Sequence, residues 1–365
     1  MQALILVGGE GTRLRPLTST VPKPVVTLVD RPFMAYMLEW LCRHGVDDVI
    51  LSCGFMADGV RAVLGDGSAL GVRVRYVEEP EPLGTGGALK YAEELLDERF
   101  FMLNGDVLSD MDLTAQLRQH ERTGARATIA LMAVKDPSAY GLVRRNPDGS
   151  VTEFLEKPSA DEVLDTNLVN AGAYILEREV LGGMADAGTR ISIERDVFPT
   201  LVDHGLFGYE ATGYWLDIGT PQRYLQATFE ILEGAVQTEV GAQLTRAGGV
   251  LGACEATVRP PAVIGEGSVV HREAVIGPRA VLGRGVHVGA GAVVESSVVL
   301  DRARVGAGAR IHSSIVSADA HLGEGCQLEG EVVIGAGVRL GAGNKLQDGI
   351  RIFPGVELSD GAIAF

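Results

Sequence analysis

Aliphatic residues recur at every sixth position along the last third of the chain. The series runs in hexads from Ile264 to Leu300, resumes at Val305 after a five-residue step, passes over Ser317 and ends at Leu346. Eight of its fourteen members are followed directly by glycine, where average usage would give about one. A period of six fits neither a helix nor an alternating strand. It predicts a hexapeptide β-helix, in which short strands stack coil on coil and aliphatic side chains fill the axis.

The first 235 residues carry a different pattern, in which apolar runs alternate with amphipathic stretches. Pro32 precedes one such stretch and Gly45 follows it, as expected at the two ends of a helix. Residues 146–149, Asn-Pro-Asp-Gly, predict a turn between two strands. Strands that alternate with helices indicate a mostly parallel α/β sheet, with more strands from Arg126 onward. The predicted strands are 3–7, 49–52, 72–77 and 100–103, and the predicted helices are 33–41 and 88–96.

The two patterns divide the chain into two domains, which agrees with a length of 365 residues at about 150 residues per domain. We assign residues 1–235 to the α/β domain and residues 251–365 to the β-helix. The second of these holds 20 of the 48 glycines. Residues 236–250 show little periodicity, and we expect them to form a linker.

Composition and charge narrow the function. The net charge of −16 argues against a nucleic-acid binder, which needs a broad basic face, but is compatible with small phosphorylated substrates. The sequence has no apolar run of the roughly 20 residues that span a bilayer, and its start lacks the basic stretch of a signal peptide. The four cysteines show no metal-binding spacing. We therefore expect a soluble, cytoplasmic protein.

A glycine-rich loop follows the first predicted strand, in Val7-Gly-Gly-Glu-Gly-Thr-Arg13. Glycines there let the backbone approach a ligand, and consecutive amides can hold phosphate oxygens. The spacing matches neither the dinucleotide fingerprint nor the P-loop. Arg13 inside the loop and Lys23 between two prolines add two cations, and such a combination suits a triphosphate.

Lysine is rare in this chain, since only five of its 32 basic residues are lysine. A lysine held beside proline therefore stands out, because its compact ammonium differs from the guanidinium used elsewhere. Lys23 in Pro-Lys-Pro and Lys157 in Glu-Lys-Pro are the two candidates. Lys90, Lys135 and Lys345 fit ordinary surface positions.

The chain resembles the sugar-1-phosphate nucleotidyltransferases. Within that family it is most similar to the guanylyltransferases that act on mannose-1-phosphate. The resemblance spans nearly the whole chain, and its motifs occur in the expected order. They are Leu6-Val-Gly-Gly-Glu-Gly-Thr-Arg-Leu-Arg-Pro-Leu-Thr18, Pro22-Lys-Pro24, Glu81-Pro-Leu-Gly-Thr-Gly-Gly-Ala-Leu89, Leu103-Asn-Gly-Asp-Val107, Glu156-Lys-Pro158, Asn170-Ala-Gly172 and Tyr214-Trp-Leu-Asp-Ile-Gly-Thr-Pro221.

The resemblance implies a Rossmann-like nucleotidyltransferase domain followed by a left-handed β-helix. It also implies that GTP and mannose-1-phosphate form GDP-mannose and pyrophosphate, without a covalent intermediate. In that reaction the protein positions its substrates and neutralises their charge. The implied nucleotide-binding residues are Leu6, Gly8, Gly9, Gly11, Thr12, Arg13, Lys23, Gly84, Thr85, Gly86 and Asp106, and those that bind the sugar phosphate are Gly141, Glu156, Lys157 and Asn170.

Asp106 and Asp217 complete the implied catalytic set with Arg13 and Lys23. Asp106 follows the predicted strand 100–103, and Asp217 also lies at a predicted strand end, which is where open parallel sheets bind ligands. Two carboxylates beside a triphosphate need a cation between them. Mg²⁺ takes one or two carboxylates together with phosphate oxygens, so we expect these two aspartates to hold Mg²⁺.

Three alternatives stay open. The first is a glucose-1-phosphate thymidylyl- or uridylyltransferase. Pro22-Lys23-Pro24 argues against it, because thymidylyltransferases of the family carry Ala-Lys-Gln there, whereas Gly86-Gly87-Ala88 departs from the Ala-Gly-Pro of guanylyltransferases. The second is a non-catalytic regulatory subunit, which the presence of the catalytic groups disfavours. The third is an added acyl transfer in the β-helix through His271, His287, His312 or His321, although the hexads show no protruding loop.

The β-helix also predicts assembly. Its open ends and flat sides present strand edges that partner chains can cover. We expect a homo-oligomer whose contacts include residues 251–365. A chain that ends near Glu233 should then keep some turnover but lose its assembly state or its thermal stability.

Overall fold

A computed structural model of the chain describes residues 1–54, 56–156 and 165–364. They form two compact units. The first unit consists of Met1–Gly9 and Met37–Trp215, and the second of Glu10–Tyr36 and Leu216–Phe365. Residues 8–18, which contain the glycine-rich loop, are here called the signature loop, and from Glu10 onward this loop shares a unit with the β-helix. The predicted division at residues 235 and 251 remains a prediction about sequence domains.

The first unit is built on a nine-stranded sheet. Its first four strands run parallel to one another, as the alternating pattern predicts, whereas the next strands join with antiparallel pairings. Across the sheet, the order of the main path is Val151–Glu156, Gly141–Arg145, Leu168–Glu177, Arg99–Asn104, Gln2–Val7, Asp48–Cys53 and Arg73–Glu78. Ala127–Ala133 pairs with Leu168–Glu177 off this path, and Leu206–Glu210 pairs with Ala127–Ala133.

Helices and short strands complete the elements before the β-helix. The predicted helix at 33–41 is observed at Phe33–Arg43, and the one at 88–96 begins earlier and stops at Tyr91. The α-helices are Phe33–Arg43, Ala57–Leu64, Gly84–Tyr91, Leu113–Thr123, Phe198–Leu201, Pro221–Leu232 and Glu239–Arg246. The 3-10 turns are Thr12–Leu14, Lys23–Val25, Ser68–Leu70, Glu93–Leu95 and Arg178–Gly183, with a π-turn at Ile193–Val197. The short strands are Thr27–Leu28, Arg31–Pro32, Val107–Ser109 and Trp215–Asp217.

The β-helix consists of three parallel sheets of stacked coils, which confirms the prediction from the six-residue period. The first sheet comprises Val250–Leu251, Ala262–Ile264, Ala280–Leu282, Val298–Val299, Ile315–Val316, Val333–Ile334 and Arg351–Ile352. The second comprises Thr257–Val258, Val275–Ile276, Val293–Glu295, Arg310–His312, Gln327–Glu329 and Lys345–Gln347. The third comprises Val269–Val270, His287–Val288, Arg304–Val305, His321–Leu322, Arg339–Leu340 and Glu357–Leu358.

The aliphatic ladder inside the β-helix differs from the predicted one at two places. Val299, not Leu300, is fully buried in the axial core, and Val316 fills the coil where the series passes over Ser317. Five-residue steps therefore fall before each of these two valines. The coils shorten accordingly, because Val281 pairs with Val298, 17 residues on, whereas Val263 pairs with Val281, 18 residues on.

Close stacking explains why glycine follows so many of the aliphatic positions. A Cβ added to Gly289 would lie 2.6 Å from the backbone nitrogen of Ala307 in the next coil, and one on Gly306 would lie 2.6 Å from the carbonyl carbon of Gly323. Real Cβ atoms do not approach backbone so closely. These corners of the coil exclude every side chain.

One outer face of the β-helix is covered. Strand alternation directs the middle residues of the first sheet away from the axis, and they are absent from the axial core, yet Val281, Val298, Ile315 and Val333 are 0% exposed. On the third sheet, by contrast, Val269 is 58% exposed. The apolar outer side of the first sheet is therefore covered, whereas the third sheet exposes an apolar residue.

The helix Pro221–Leu232 lies beside this covered face. Gln222 donates a hydrogen bond to Glu331 of the β-helix. Arg279 of the β-helix lies over the ring of Phe229, 5.4 Å from its centroid, and 3.8 Å from the carboxylate of Glu233. These contacts join the helix and its C-terminal end to two separate corners of the β-helix.

The segment expected to be a linker, residues 236–250, contains the helix Glu239–Arg246. Thr238 caps it by accepting a hydrogen bond from the amide of Gly241, and Val240 and Leu244 are buried. Two apolar residues one helical turn apart are enough to dock a short helix, but they form too short a pattern to be recognised in the sequence.

Among the described residues, no helix combines the length and the apolar character needed to cross a membrane. All four cysteines, Cys42, Cys53, Cys254 and Cys326, are free thiols. Burial raises the pKa of the Cys53 thiol to about 12, so it packs as an apolar side chain.

Candidate functional site

The glycine loop begins at the carboxyl edge of the parallel strands. A Cβ on Gly8 would lie 3.3 Å from a carboxylate oxygen of Glu79, whereas a Cβ on Gly9 would meet nothing within 4 Å. Leu6 uses its carbonyl to accept a hydrogen bond from the amide of Gly105, at 2.9 Å. Gly9 is exposed, so its backbone is open to a ligand.

Glu79 is a candidate that the sequence analysis did not find. It directly follows the strand Arg73–Glu78, as Gly8 follows the first strand, so both lie at the same edge of the sheet. Its carboxylate accepts hydrogen bonds from the hydroxyl of Ser52, at 2.9 Å, and from the amide of Leu83, at 3.1 Å. The only signal in the sequence is its place after a strand.

Asp106 is placed by a close contact between two strands. A Cβ on Gly105 would lie 2.4 Å from the carbonyl oxygen of Leu6, so only glycine lets the chain pass the end of the first strand. Asp106 comes next and is half-buried. The Asn-Gly-Asp order therefore delivers a carboxylate to the edge that carries Gly8 and Glu79.

Three of the expected sugar-binding residues lie together on neighbouring strands. Glu156 stands opposite Gly141 in the antiparallel pair, and a Cβ on Gly141 would lie 2.8 Å from the Glu156 carboxylate and 3.5 Å from Cβ of Asn170. The missing side chain at Gly141 thus leaves space between a carboxylate and an amide. Both groups can form hydrogen bonds with hydroxyl groups.

Asn170 is held by its own strand. Its amide donates to the hydroxyl of Tyr174, at 2.8 Å, and its carbonyl oxygen accepts from the amide of Gly172, at 3.0 Å. The pairing register shifts between Asn170 and Tyr174, and Gly172 has φ of 72°, as expected of glycine at a bulge. Burial raises the pKa of Tyr174 well above its usual value, so its hydroxyl stays neutral.

Two aromatic residues lie next to this bulge. The indole of Trp215 donates to the carbonyl of Ala171, at 2.8 Å, and its ring meets Tyr140 edge-on, with the centroids 5.3 Å apart. Trp215 is half-buried, so it is neither an ordinary core residue nor a free surface. Tyr140 is a further neighbour of the expected sugar-binding residues, and no sequence motif singled it out.

The expected nucleotide-binding stretch 84–86 has structural contacts of its own. The amide of Gly86 donates to the carbonyl of Ile191, at 2.9 Å, and the Thr85 hydroxyl donates to Glu194, at 2.6 Å. Gly84 is exposed and has φ of 76°. Gly84 is therefore the member of this stretch whose backbone is accessible, while Thr85 and Gly86 anchor the start of a helix.

The second unit contains the remaining part of the signature loop. Gly11 has φ of 62°, and Thr12–Leu14 forms a 3-10 turn. A Cβ on Gly11 would lie 3.1 Å from Cβ of Lys23. A Cβ on Gly219 would lie 2.8 Å from Nη2 of Arg13, so the guanidinium covers the backbone just after Asp217.

The structure thus brings Arg13 and Lys23 next to the same short loop, and Arg13 next to the motif of Asp217. Asp106 belongs to the first unit and Asp217 to the second. In the part of the chain that the structure describes, no three His, Cys, Asp or Glu side chains form a group that could hold a metal. Lys157 lies outside the described residues.

The four histidines of the β-helix lie on its surface. His271, His287 and His312 are exposed, and His321 is half-buried. His287 and His321 share a face, with Arg304 in register between them. Each ring is therefore an outward-facing side chain of the coil, which is the ordinary role of these positions.

Family comparisons match both regions of the chain. The nucleotidyl transferase model matches residues 2–234, and the GMPPB C-terminal domain model matches residues 258–362. The mannose-1-phosphate guanylyltransferase of Mycobacterium tuberculosis is 38% identical, over 74% of this chain and 75% of that protein. The mannose-1-phosphate guanylyltransferase catalytic subunit beta of Danio rerio is 39% identical, over 73% of each chain.

Solved structures match part of the chain. HddC from Yersinia pseudotuberculosis is 30% identical with a TM-score of 0.54, over 62% of this chain and 97% of that one. The same protein complexed with GMP-PN is 29% identical with a TM-score of 0.52, over 62% and 97%. The chain therefore belongs to the nucleotidyl transferase family and, within it, to the mannose-1-phosphate guanylyltransferases.

Proposed function

We propose that this protein forms GDP-mannose and pyrophosphate from GTP and mannose-1-phosphate. A phosphate oxygen of the sugar phosphate attacks the α-phosphorus of GTP. The new oxygen–phosphorus bond forms as the bond from the α-phosphorus to the bridging oxygen breaks, and pyrophosphate leaves with that electron pair. Catalysis then consists of alignment and charge neutralisation.

The phosphates would be held by the cations of the signature loop. Arg13 lies in the Thr12–Leu14 turn and Lys23 lies beside Gly11. In our proposal Arg13 neutralises the departing pyrophosphate, and Lys23 contacts the phosphates at the reacting centre. Lys157 would hold the phosphate of the sugar. The open backbone at Gly9 would let the nucleotide approach the loop closely.

The hexose would lie at the three neighbouring strands that carry Gly141, Glu156 and Asn170. Glu156 would accept hydrogen bonds from sugar hydroxyls, and Asn170 would donate them. The side chain of Asn170 is already oriented by Tyr174 and Gly172, so little entropy is lost when it meets a substrate. The adjacent rings of Tyr140 and Trp215 would form one wall.

The observation that carries the choice of guanine is the Glu79 carboxylate beside Gly8. Guanine presents two neighbouring donors, N1–H and the exocyclic amine, which a carboxylate can accept together. Thymine and uracil present one N–H between two carbonyl oxygens, and those oxygens repel a carboxylate. A carboxylate at this position of the nucleotide site therefore favours GTP, in agreement with the names of the curated relatives.

Members of this family generally use a divalent metal, and we propose Mg²⁺ at Asp106 and Asp217. The donor set fits, because both residues supply the carboxylate oxygens that Mg²⁺ prefers. Mg²⁺ completes its shell with water and substrate phosphates, so it does not need a third protein ligand. When bound, it would neutralise phosphate charge.

We also propose a cytoplasmic homo-oligomer, with contacts that include residues 251–365. A nucleoside triphosphate substrate and four free thiols suit the cytoplasm. The third sheet of the β-helix supports an assembly surface, because most of its outer residues are exposed, whereas the apolar outer residues of the first sheet are buried.

The test is pyrophosphate release from a matrix of the four triphosphates, with dTTP added, against mannose-, glucose- and galactose-1-phosphate. We expect GTP with mannose-1-phosphate to have the highest kcat/KM. Glu79→Gln should reduce the preference for GTP over UTP by about tenfold, since it replaces one acceptor with a donor. Glu81→Gln, an exposed carboxylate in the same loop, is the matched control. A higher kcat/KM with dTTP or UTP would contradict the proposal.

A further inference from the structure

An arginine ends the column of buried aliphatic residues on the outer side of the first sheet of the β-helix. The column runs through Val281, Val298, Ile315 and Val333, each paired in register with the next. The position that follows in register is Arg351. An arginine there ends a run of fully buried aliphatic side chains, so its side chain must meet something other than an apolar surface.

The guanidinium of Arg351 meets the signature loop. Its Nη1 donates to the carbonyl of Arg13, at 3.1 Å, and to the carbonyl of Arg15, at 3.0 Å. All three residues belong to the second unit. These carbonyls lie at the end of the Thr12–Leu14 turn. The last carbonyls of a helical turn accept no hydrogen bond from amides of the same turn, so they need other donors.

Two further hydrogen bonds of the loop are local. Thr18 donates its hydroxyl to the carbonyl of Gly11, at 2.8 Å, and the amide of Arg15 donates to the carbonyl of Thr12, at 3.2 Å. Arg351, by contrast, lies 336 residues after Arg15. It hydrogen-bonds to the backbone on both sides of Leu14. Arg351 therefore restrains the backbone of Arg13, whose guanidinium is the expected phosphate ligand.

We propose that Arg351 is a positioning residue for nucleotidyl transfer, through which the β-helix holds the phosphate-binding loop in its working conformation. The inference rests on the proposed function, in which Arg13 meets the triphosphate. A preformed loop does not have to be ordered when the nucleotide binds. The permanently charged guanidinium also adds a cation beside that loop. In this view the β-helix contributes to catalysis without touching the sugar.

The test compares Arg351→Met and Arg351→Lys with Arg339→Met in the full-length chain. Methionine keeps most of the length and apolar stem but removes the donors, and lysine keeps the charge. Arg339 is an exposed arginine of the third sheet, paired with Glu357 at 3.5 Å, and is the matched control. Arg351 is itself exposed, so we expect all three variants to fold, as circular dichroism would check.

For Arg351→Met we expect the KM for GTP to rise about fivefold, with the KM for mannose-1-phosphate unchanged within about twofold. Amide hydrogen exchange at residues 12–19 should quicken by a similar factor, because the turn opens more often. Arg351→Lys should restore part of both effects. Arg339→Met should change neither.

An unchanged KM for GTP in Arg351→Met would overturn the proposal, whether or not exchange quickens, and so would equal effects in Arg339→Met. If the wild-type chain turns over no GTP, the proposed function fails. The exchange measurement would then still decide the structural half, since unchanged exchange at residues 12–19 refutes the restraint and faster exchange supports it.

Discussion

Gly306 of the β-helix stands where two coils touch, whereas Gly9 in the loop after the first strand stands where nothing touches it. A Cβ on Gly306 would lie 2.6 Å from the backbone of the next coil, and a Cβ on Gly9 would meet nothing within 4 Å. Both are exposed or near-surface glycines in periodic or motif positions. Their surroundings, not their identity, separate a glycine needed by the fold from one kept open for a ligand.

The contrast extends beyond glycine. The axial residues of the β-helix are explained by packing, since each aliphatic side chain fills one layer. At the carboxyl edge of the sheet, Gly8, Glu79 and Asp106 instead lie where packing alone would not require them. Substitutions of the axial residues of the β-helix should therefore lower stability with little effect on turnover. Substitutions at the carboxyl edge of the sheet should lower turnover with little effect on stability.

The largest effect is expected at the two aspartates. Asp106→Asn or Asp217→Asn removes a charge that would hold Mg²⁺, so turnover should fall about a hundredfold or more, while the melting temperature changes little. Excess Mg²⁺ should restore part of the lost rate. Steady-state rates against Mg²⁺ concentration measure this, with Asp47→Asn, an exposed aspartate, as the control. Near-normal turnover of both variants at limiting Mg²⁺ would remove the aspartates from the mechanism.

The next effect tests the glycine contrast itself. Gly306→Ala should destabilise the chain by about 2–3 kcal/mol, because the methyl group overpacks a stacked corner. It should leave kcat unchanged at a temperature where the chain is folded. Thermal melts and rates on the same sample check this, and unchanged stability would break the stacking explanation.

Gly9→Ala is the counterpart in the loop. The methyl group has space in the free protein, so stability should stay within about 0.5 kcal/mol. The same methyl group would hinder close approach of a nucleotide to the backbone, and we expect the KM for GTP to rise about tenfold. A loss of stability without any change in that KM would show that Gly9 serves the fold.

The smallest effect concerns the residue behind Asn170. Tyr174→Phe removes the acceptor of the Asn170 amide. The amide should lose its fixed orientation, and the KM for mannose-1-phosphate should rise about threefold to fivefold. The KM for GTP should not move. Tyr76→Phe, on the strand at the other side of the sheet, is the control. An equal rise of the two KM values, for GTP and for mannose-1-phosphate, in Tyr174→Phe would contradict a local role for Tyr174.

Local periodicity is what made the fold predictable. The hexads identified the β-helix, and the apolar runs identified the parallel strands, because both depend on neighbours close in sequence. The exact ladder was wrong at Leu300, since Val298, Val299 and Leu300 are all aliphatic and only the three-dimensional register distinguishes them. The helix Glu239–Arg246 was missed because a single turn of apolar spacing is too weak a pattern.

The site depended on contacts that no spacing reveals. Gly141, Glu156 and Asn170 become neighbours through antiparallel register, so their grouping came from resemblance rather than from pattern. Glu79 carries no motif beyond following a strand. Arg351 resembles the other outward arginines of the hexads, and only its contacts with the signature loop single it out.

The most direct test of the central claim follows oxygen through the reaction. Mannose-1-phosphate labelled with ¹⁸O at its non-bridging phosphate oxygens is incubated with GTP, Mg²⁺ and the full-length chain, and the products are resolved by ³¹P NMR. We predict GDP-mannose with ¹⁸O in the oxygen that joins its two phosphorus atoms, and pyrophosphate without label. Labelled pyrophosphate, or no GDP-mannose at all, would contradict attack of the sugar phosphate on the α-phosphorus.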